Sequence, residues 1–398
     1  MAITILKNVR AVLKNNIIDN ATLVIEDGVI IDVGENRTYN DGFDCFRAFC
    51  LPGLIDTHSD AIETEVTPRP TITVDPSYAL RSLESRLIAA GITTVCHGIT
   101  FEDCEIRNRT VDMAETLVDV IDERRTKSNS PIDHRILFRV AMRSAAGFES
   151  ALDRLNVGKM STEKAIVALE DHAPGHGPFK DINKFRQHVA RQTGLAGGQL
   201  ENIIANEIHK TIEFLPQKEK CAEHFTKLVN HEQVLLLAHD CENENVVKLA
   251  HQRGTSVVEF PLTINAARYA IKRGMSVVLG SPNVLRGQSH SGFANAADLI
   301  CLGLCTNLAS DYMPFSLLSS VFQLVEKNIL PLHKAIQLVT TGAAKTLGIN
   351  DRGEVAVGLR ADIILVTLDG RWPRVLRVFN ADHGGVFDAI GRLHAIGK

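Results

Sequence analysis

The stretch Leu51–Pro70, LPGLIDTHSDAIETEVTPRP, decides how the rest of the chain is read. Its apolar start, through Leu54 and Ile55, has the character of a buried strand. It delivers an imidazole, His58, and a carboxylate, Asp60, two residues apart. Residues i and i+2 of a strand project to the same side, so His58 and Asp60 converge on one metal ion if strand geometry continues that far. His-x-Asp also arises by chance, and a polar loop holding Asp56, His58 and Asp60 is the competing reading.

Repetition decides between them. The runs AGITTVCHGIT, HRILFRVAMR, AIVALEDHAPGH, EQVLLLAHD, TSVVEFPLT, MSVVLGSPN and NLASDYMP each end in a polar or ligand-type residue: His97, Arg143, Asp171 and His172, His239 and Asp240, Glu259, Asn283 and Asp311. With the opening run there are eight. Helical periodicity falls between them, at Ser82–Leu87, Val111–Arg125, Gln217–Val229, Asn243–Gln252 and Ala266–Arg273. Eight alternating strand and helix units with ligand-type residues at the strand ends describe a (β/α)8 TIM barrel, an α/β fold with its active site on one face.

The ends of the chain have another texture. Residues 3–34 and 353–379 alternate short β-prone runs with turns, and Asp27-Gly28 is a strong hairpin signal. Neither end carries enough apolar surface to stand alone. The expectation is one small discontinuous β-sandwich domain from residues 1–52 and 346–398, with the barrel at 53–345.

Composition excludes several classes. A chain of 398 residues with 45% hydrophobic and 23% charged residues is an ordered globular protein, and a net charge of −4 leaves no basic footprint for nucleic acid. No apolar stretch reaches the roughly 18 residues that a membrane span needs. The amino terminus MAITILKNVRAVLKNN is broken by charge too early for a signal peptide. A cytoplasmic protein acting on a small molecule is the expectation, with a homo-oligomer left open. Eight cysteines without a CxxC pair read as reduced, and Cys301 and Cys305, four apart, are expected to share a helical face.

The segments HSDAIETEVTPRP, EDHAPGH, AHD, EFPLT, GSPNVLRGQSHSG and ASDYMPFSLL, in order along the barrel, resemble the amidohydrolase superfamily and within it the phosphonate-utilisation family PhnM. The run PNVLRGQSHSG followed by SDYMPFSLL carries most of that specificity. The resemblance implies a metal-dependent diphosphatase that releases pyrophosphate from α-D-ribose 1-methylphosphonate 5-triphosphate, a small phosphorylated substrate.

The residues suit such chemistry. His58, Asp60, His172 and His239 are the candidate metal ligands, with Asp311 touching both metal and attacking water as general base. Zinc is the first choice of divalent ion, manganese or iron the alternatives, with one or two ions bound. For His172 the competing role is a cap on the loop at Pro174-Gly175, and for His239 a satisfied core histidine; His97 and His134 are expected to serve structure. A triphosphate also needs cations. Arg286, Ser289 and His290, in RGQSHSG, and Arg69, between two prolines, are the candidate phosphate contacts. Glu63 and Glu259 would repel polyphosphate and are expected to orient a ligand histidine from behind.

The chain departs from the family pattern in three places. Where the family usually has Arg-Cys-Glu on the third strand, its glutamate a metal ligand, this chain reads Arg139-Val140-Ala141. The carboxylate is missing, and Met142 cannot replace a hard oxygen donor. Phe293 stands where the family continues with Asn, and Thr71 where it has Gly. Two other readings therefore stay open: an amidohydrolase that cuts a C–N bond in a cyclic amide or deaminates a base, and a relative that has lost its metal and its catalysis.

Overall fold

The computed structural model describes residues 3–35, 39, 41–69, 72–127, 129–157, 164–287 and 294–388. Among them, eight parallel strands follow one another around a barrel: Leu54–Ser59, Ile92–Phe101, Asp133–Ala141, Ala165–Glu170, Val234–His239, Val257–Glu259, Ser276–Gly280 and Asn307–Ala309. Each pairs with the next in sequence order. The last returns to the first through a parallel bridge between Ser59 and Asp311. All eight runs expected from the sequence are strands. Parallel strands covered on both faces read as near-continuous apolar runs, which is why IVAL and VLLLA show no alternation.

The barrel interior is packed, not hollow. Cys96, Leu137, Ile166, Ala168, Leu237, Val257, Val278 and Ala309 fill it with one or two side chains from successive strands. Outside, the apolar faces of Pro76–Ala89, Val111–Arg125, Leu215–Asn230, Ile264–Lys272 and Ser316–Glu326 pack on the strands as one continuous core. The five helical stretches read from the sequence lie within or largely overlap such helices. Two helices unmarked by the sequence reading, Ile182–Thr193 and Gly197–Glu213, are inserted between the fourth and fifth strands. They close on a small apolar cluster of their own around Phe185, Val189, Leu200 and Ile204.

The termini build a second sheet, ordered from Gly384–Asp388 through Trp372–Asn380, Ile363–Asp369, Phe49–Pro52, Ile3–Val12 and Ile17–Glu26 to Val29–Glu35, with Phe43–Asp44 paired on Ile3–Val12. It is one curled sheet. Its far edge returns to the chain just before Ile363, where Ile30 donates its N–H to Leu359 at 3.0 Å. Leu6, Leu23, Ile25, Ile30, Ile363 and Leu365 are enclosed between its halves. The Asp27-Gly28 turn is present, with φ of 45° and 79°. A Cβ on Gly28 would fall 2.1 Å from the Ala381 carbonyl oxygen, so the hairpin also needs glycine for close approach.

All eight cysteines are free. Cys301 and Cys305 do not share a helical face: the helix Ala296–Cys301 stops at Cys301, Gly303 turns the chain at φ 70°, and the Cys305 thiol faces the Asn307 carbonyl at 3.3 Å.

Candidate active site

The chemistry-bearing side chains gather at the carboxyl ends of the barrel strands, as the fold requires. His58 lies in the first strand, Arg139 in the third, Glu170 ends the fourth, His239 the fifth and Glu259 the sixth; Asp311 follows the eighth by two residues.

The barrel is closed directly beneath the site. Asp311 donates its N–H to the His58 carbonyl at 2.9 Å, and Asp60 donates its own to the Asp311 carbonyl at 2.7 Å. Buried Asp56 helps to staple the same seam by accepting from the Ser310 N–H at 3.0 Å. His58 and Asp60 do converge, His58 Nε2 lying 3.2 Å from Asp60 Oδ1. They do so by another route than a continued strand, which ends at Ser59. Asp60 takes φ −89° and ψ 4° as the residue that starts the helix Ala61–Val66.

Across the mouth, His58 Nδ1 meets Glu259 Oε1 at 3.1 Å, the expected orienting carboxylate. His239 and His172 share Asp240: its Oδ2 lies 2.9 Å from His239 Nδ1 and 3.0 Å from His172 Nε2. The His58 and His239 rings are 5.4 Å apart, as are those of His172 and His239. Phe260 covers two of them edge-on, 5.1 Å from each. Three residues at this mouth hold left-handed backbone, Asp240 at φ 54°, Phe260 at φ 50° and Asp311 at φ 56°. For a residue as bulky as Phe260 that conformation is costly and persists only where packing enforces it.

This donor set fits a divalent ion. His58, His239 and Glu259 each offer a ligand atom within 4.8 Å of the others, and so do His172, His239 and Asp240. His58 Nε2 and Glu259 Oε2 are fully buried without a hydrogen-bond partner, although Asp60 lies close to the former. Buried polar atoms are rarely left so, and a cation is a partner that would satisfy them. Gly98 keeps that space open, since a Cβ there would meet Asp60 Oδ1 at 2.6 Å and the Arg139 Cδ at 2.9 Å.

The electrostatics point the same way. Burial alone would lower the His58 pKa, but Glu259 and Asp60 beside it outweigh burial and hold the imidazole protonated. His239 is raised in the same manner by Asp240 and Glu170. Burial raises Asp311 to about 6, with help from the neighbouring Asp60 charge. Asp60 itself is driven down, because Arg139 and His58 overcome its own burial. Two carboxyl groups whose environments separate them so clearly are a pattern of acid–base sites.

Three groups escaped the sequence reading. Arg139 is buried at the centre, its Nη1 donating to Asp60 Oδ1 at 2.6 Å and its Nε to Glu170 Oε1 at 2.5 Å. In the sequence Glu170 is masked by the adjacent Asp171-His172, yet Asp171 turns away to Arg143 and Lys218, at 2.8 and 2.6 Å. Period-two alternation from Ala168, an interior residue, would have pointed Glu170 inward. Asp240 stood beside His239 in view but outside the ligand set.

The remaining candidates are scattered. Glu63 accepts from Arg109 at 2.7 Å and touches no histidine among the described residues, so it differs from Glu259. Arg69 and Arg286 are exposed and do not line the cavity above the site. Ser289, His290 and Phe293 lie outside the described residues. His97 and His134 form a buried chain, His97 Nε2 to His134 Nδ1 at 2.9 Å and His134 Nε2 to Glu84 at 3.0 Å. That chain ties the second and third strands to helix Pro76–Ala89. The cavity, about 720 Å³, is bounded by Asp60, His239 and Asp311 on its floor and by Arg109, Lys184 and Arg191 elsewhere. Lys184 and Arg191 come from the inserted helix Ile182–Thr193.

Comparison with known proteins agrees with this architecture. The profile of the amidohydrolase family matches residues 183–385. The α-D-ribose 1-methylphosphonate 5-triphosphate diphosphatase of Escherichia coli (strain K12) is 30% identical over 389 residues, covering 94% of this chain and all of that protein. A 5'-deoxyadenosine deaminase of Methanosarcina barkeri is 21% identical, over 88% of this chain and 80% of its own. Among solved structures, 5-methylcytosine deaminase from Klebsiella pneumoniae superposes with a TM-score of 0.63 at 14% identity, covering 97% of each chain. No described helix is long and apolar enough to cross a membrane.

Proposed function

The chain belongs to the amidohydrolase family, and from that premise we propose that it is a metal-dependent hydrolase cleaving a phosphoric anhydride in a polyphosphorylated sugar. The substrate is α-D-ribose 1-methylphosphonate 5-triphosphate or a close relative, and the products are the 5-phosphate and pyrophosphate. The observation that carries this reading is the pairing of a histidine–carboxylate floor with a cationic wall of Arg109, Lys184 and Arg191 around one cavity. A neutral cyclic amide needs no such wall; a triphosphate does.

His58, Asp60, His172, His239 and Asp311 would hold the ion, with Glu259 fixing the His58 ring and Asp240 lying between His239 and His172. Zinc suits these nitrogen and oxygen donors, as do manganese and iron. When bound, a divalent ion supplies charge that brings the pKa of water down to about 7 and neutralises phosphoryl oxygens.

The protein's own part is positioning and proton transfer. One Asp311 carboxylate oxygen takes the proton of the attacking water. The water oxygen forms the new P–O bond as the bridging P–O bond breaks and pyrophosphate departs. Asp311 is ionised at neutral pH even in the ion-free site, where burial raises it to about 6, so its carboxylate is free to accept that proton. Arg139 holds Asp60 in place, and Phe260 screens the imidazoles from water. Lys184 and Arg191 meet the distal phosphates.

Replacing Lys184 and Arg191 together by alanine tests the wall. KM for a ribose 5-triphosphate derivative should rise about tenfold or more while kcat changes little, the signature of lost uniform binding. Equal loss on a neutral cyclic amide would remove the wall from substrate recognition.

A further inference from the structure

We propose that the substrate is a nucleoside 5'-triphosphate, its distal phosphates on the cationic wall and its base in a second cavity beside the histidine–carboxylate mouth. This names the substrate class of that mouth and rests on its reading as a phosphoric-anhydride hydrolase. The second cavity, about 750 Å³, lies between the ends of the third and fourth strands and the inserted helices. Ala141, Met142 and Glu170 stand on the strand side, and Phe185, Ile203 and Phe214 on the other. Arg109, His172 and His188 line both cavities, so the two spaces meet next to the floor. Arg143 ties the outer wall to the barrel: its Nη1 donates to the Thr211 carbonyl of helix Gly197–Glu213 at 2.6 Å, and its Nε to Asp171 at 2.8 Å.

The substrate's direction follows from the bond that is cut. Pyrophosphate is released when water attacks the α-phosphorus above Asp60, His239 and Asp311 and the bond from that phosphorus to the bridging oxygen breaks toward the departing diphosphate. The distal phosphates then lie toward Lys184 and Arg191, and the sugar leaves the floor another way. The second cavity opens there, beside His172 and Arg109. Its chemistry is unlike that of the first. Three cations line it, and each is already held by a carboxylate: Arg109 by Glu63 at 2.7 Å, Arg143 by Asp171 at 2.8 Å and Lys210 by Glu207 at 2.8 Å. Glu102, Asp103 and Glu105 add further acids to the lining. A sugar carrying an anion at position 1 meets repulsion in such a space, whereas an uncharged base does not. Met142, Ile203 and Phe214 offer apolar surface to its ring, and Thr110, Ser144 and Asn206 offer hydrogen-bonding groups to its edge. Clefts of this size take ring systems, and a methyl-sized substituent would leave most of the space unfilled.

The test is pyrophosphate release by the metal-loaded full chain from adenosine and cytidine 5'-triphosphates, ribose 5-triphosphate and α-D-ribose 1-methylphosphonate 5-triphosphate. The nucleotides should give kcat/KM roughly tenfold or more above the methylphosphonate compound, with the nucleoside monophosphate as the other product. Ala146→Trp, in the exposed first turn of helix Ala145–Val157, narrows the second cavity. It should raise KM for the nucleotides about tenfold and leave ribose 5-triphosphate unchanged. Glu105→Lys combined with Glu207→Lys reverses charge on the lining and should move preference toward the methylphosphonate compound. A wild-type preference for the methylphosphonate compound, or an equal effect of Ala146→Trp on ribose 5-triphosphate and the nucleotides, would overturn this proposal alone. Absence of pyrophosphate from every one of these compounds would overturn the proposed function as well, which separates the two failures.

Discussion

The backbone N–H of Asp60 donates to the carbonyl of Asp311 at 2.7 Å, so the first and last barrel strands present these two carboxylates as one unit. One group lies on the ligand side of the seam, driven down in pKa by Arg139 and His58; the other is raised by burial and by its neighbour's charge. Asp311→Asn keeps the shape and the backbone bond but removes the proton acceptor. Turnover should fall by about 10²–10⁴ even at saturating zinc, where elemental analysis finds as much metal as in the wild type. Unchanged turnover would remove Asp311 from the mechanism.

Metal uptake should release protons. The acids around them raise the His58 pKa well above the ordinary imidazole value and the His239 pKa above it, and an imidazole that holds a second proton must lose it to bind an ion. Titrating zinc into metal-free protein at pH 7 in weak buffer with an indicator should show one or two protons released per ion. No release would mean that neither imidazole is a ligand or that both are already neutral.

Arg139 clamps Asp60 and Glu170, and its removal leaves two buried carboxylates without their cation. Arg139→Met should destabilise the metal-free protein by about 3–5 kcal/mol. A bound ion supplies replacement charge, so thermal denaturation with saturating zinc should recover a large part of the loss. The same destabilisation with and without metal would place the clamp apart from the ion.

Asp311 also gives a pH signature. Its folded pKa, about 6, lies above the ordinary aspartate value, so in the metal-free protein the group favours the folded state only when protonated. That contribution is present at low pH and is lost as pH rises through about 6. Carbon-13 detection of the Asp311 carboxyl should show a midpoint near 6 without metal, moved to lower pH by a bound cation. A midpoint near 4 in the metal-free state would contradict its burial beside Asp60.

The barrel was legible because apolar runs of strand length ended repeatedly in histidines and acids, and parallel strands announce themselves in this way. His58, Asp60, His172, His239 and Asp311 emerged from the same signal and lie at one mouth. Arg139 and Glu170 were harder to see. An arginine inside a strand reads as surface, and the Asp171-His172 pair drew attention from a glutamate whose inward direction depends on strand phase. The cationic wall on Ile182–Thr193 was out of reach, since nothing local in INKFRQHVARQT says which way an inserted helix folds back. Arg286 illustrates the converse: a persuasive local motif whose described arginine ends a short helix exposed and off the cavity.

The most direct measurement is product analysis with metal-loaded and metal-stripped protein on a ribose 5-triphosphate derivative, phosphorus resonances identifying the products. Loaded protein should give equimolar pyrophosphate and 5-phosphate and stripped protein none, with activity returning when zinc or manganese is added. Stoichiometric metal with no pyrophosphate, together with ammonia or ring opening from a cyclic amide or base, would contradict it.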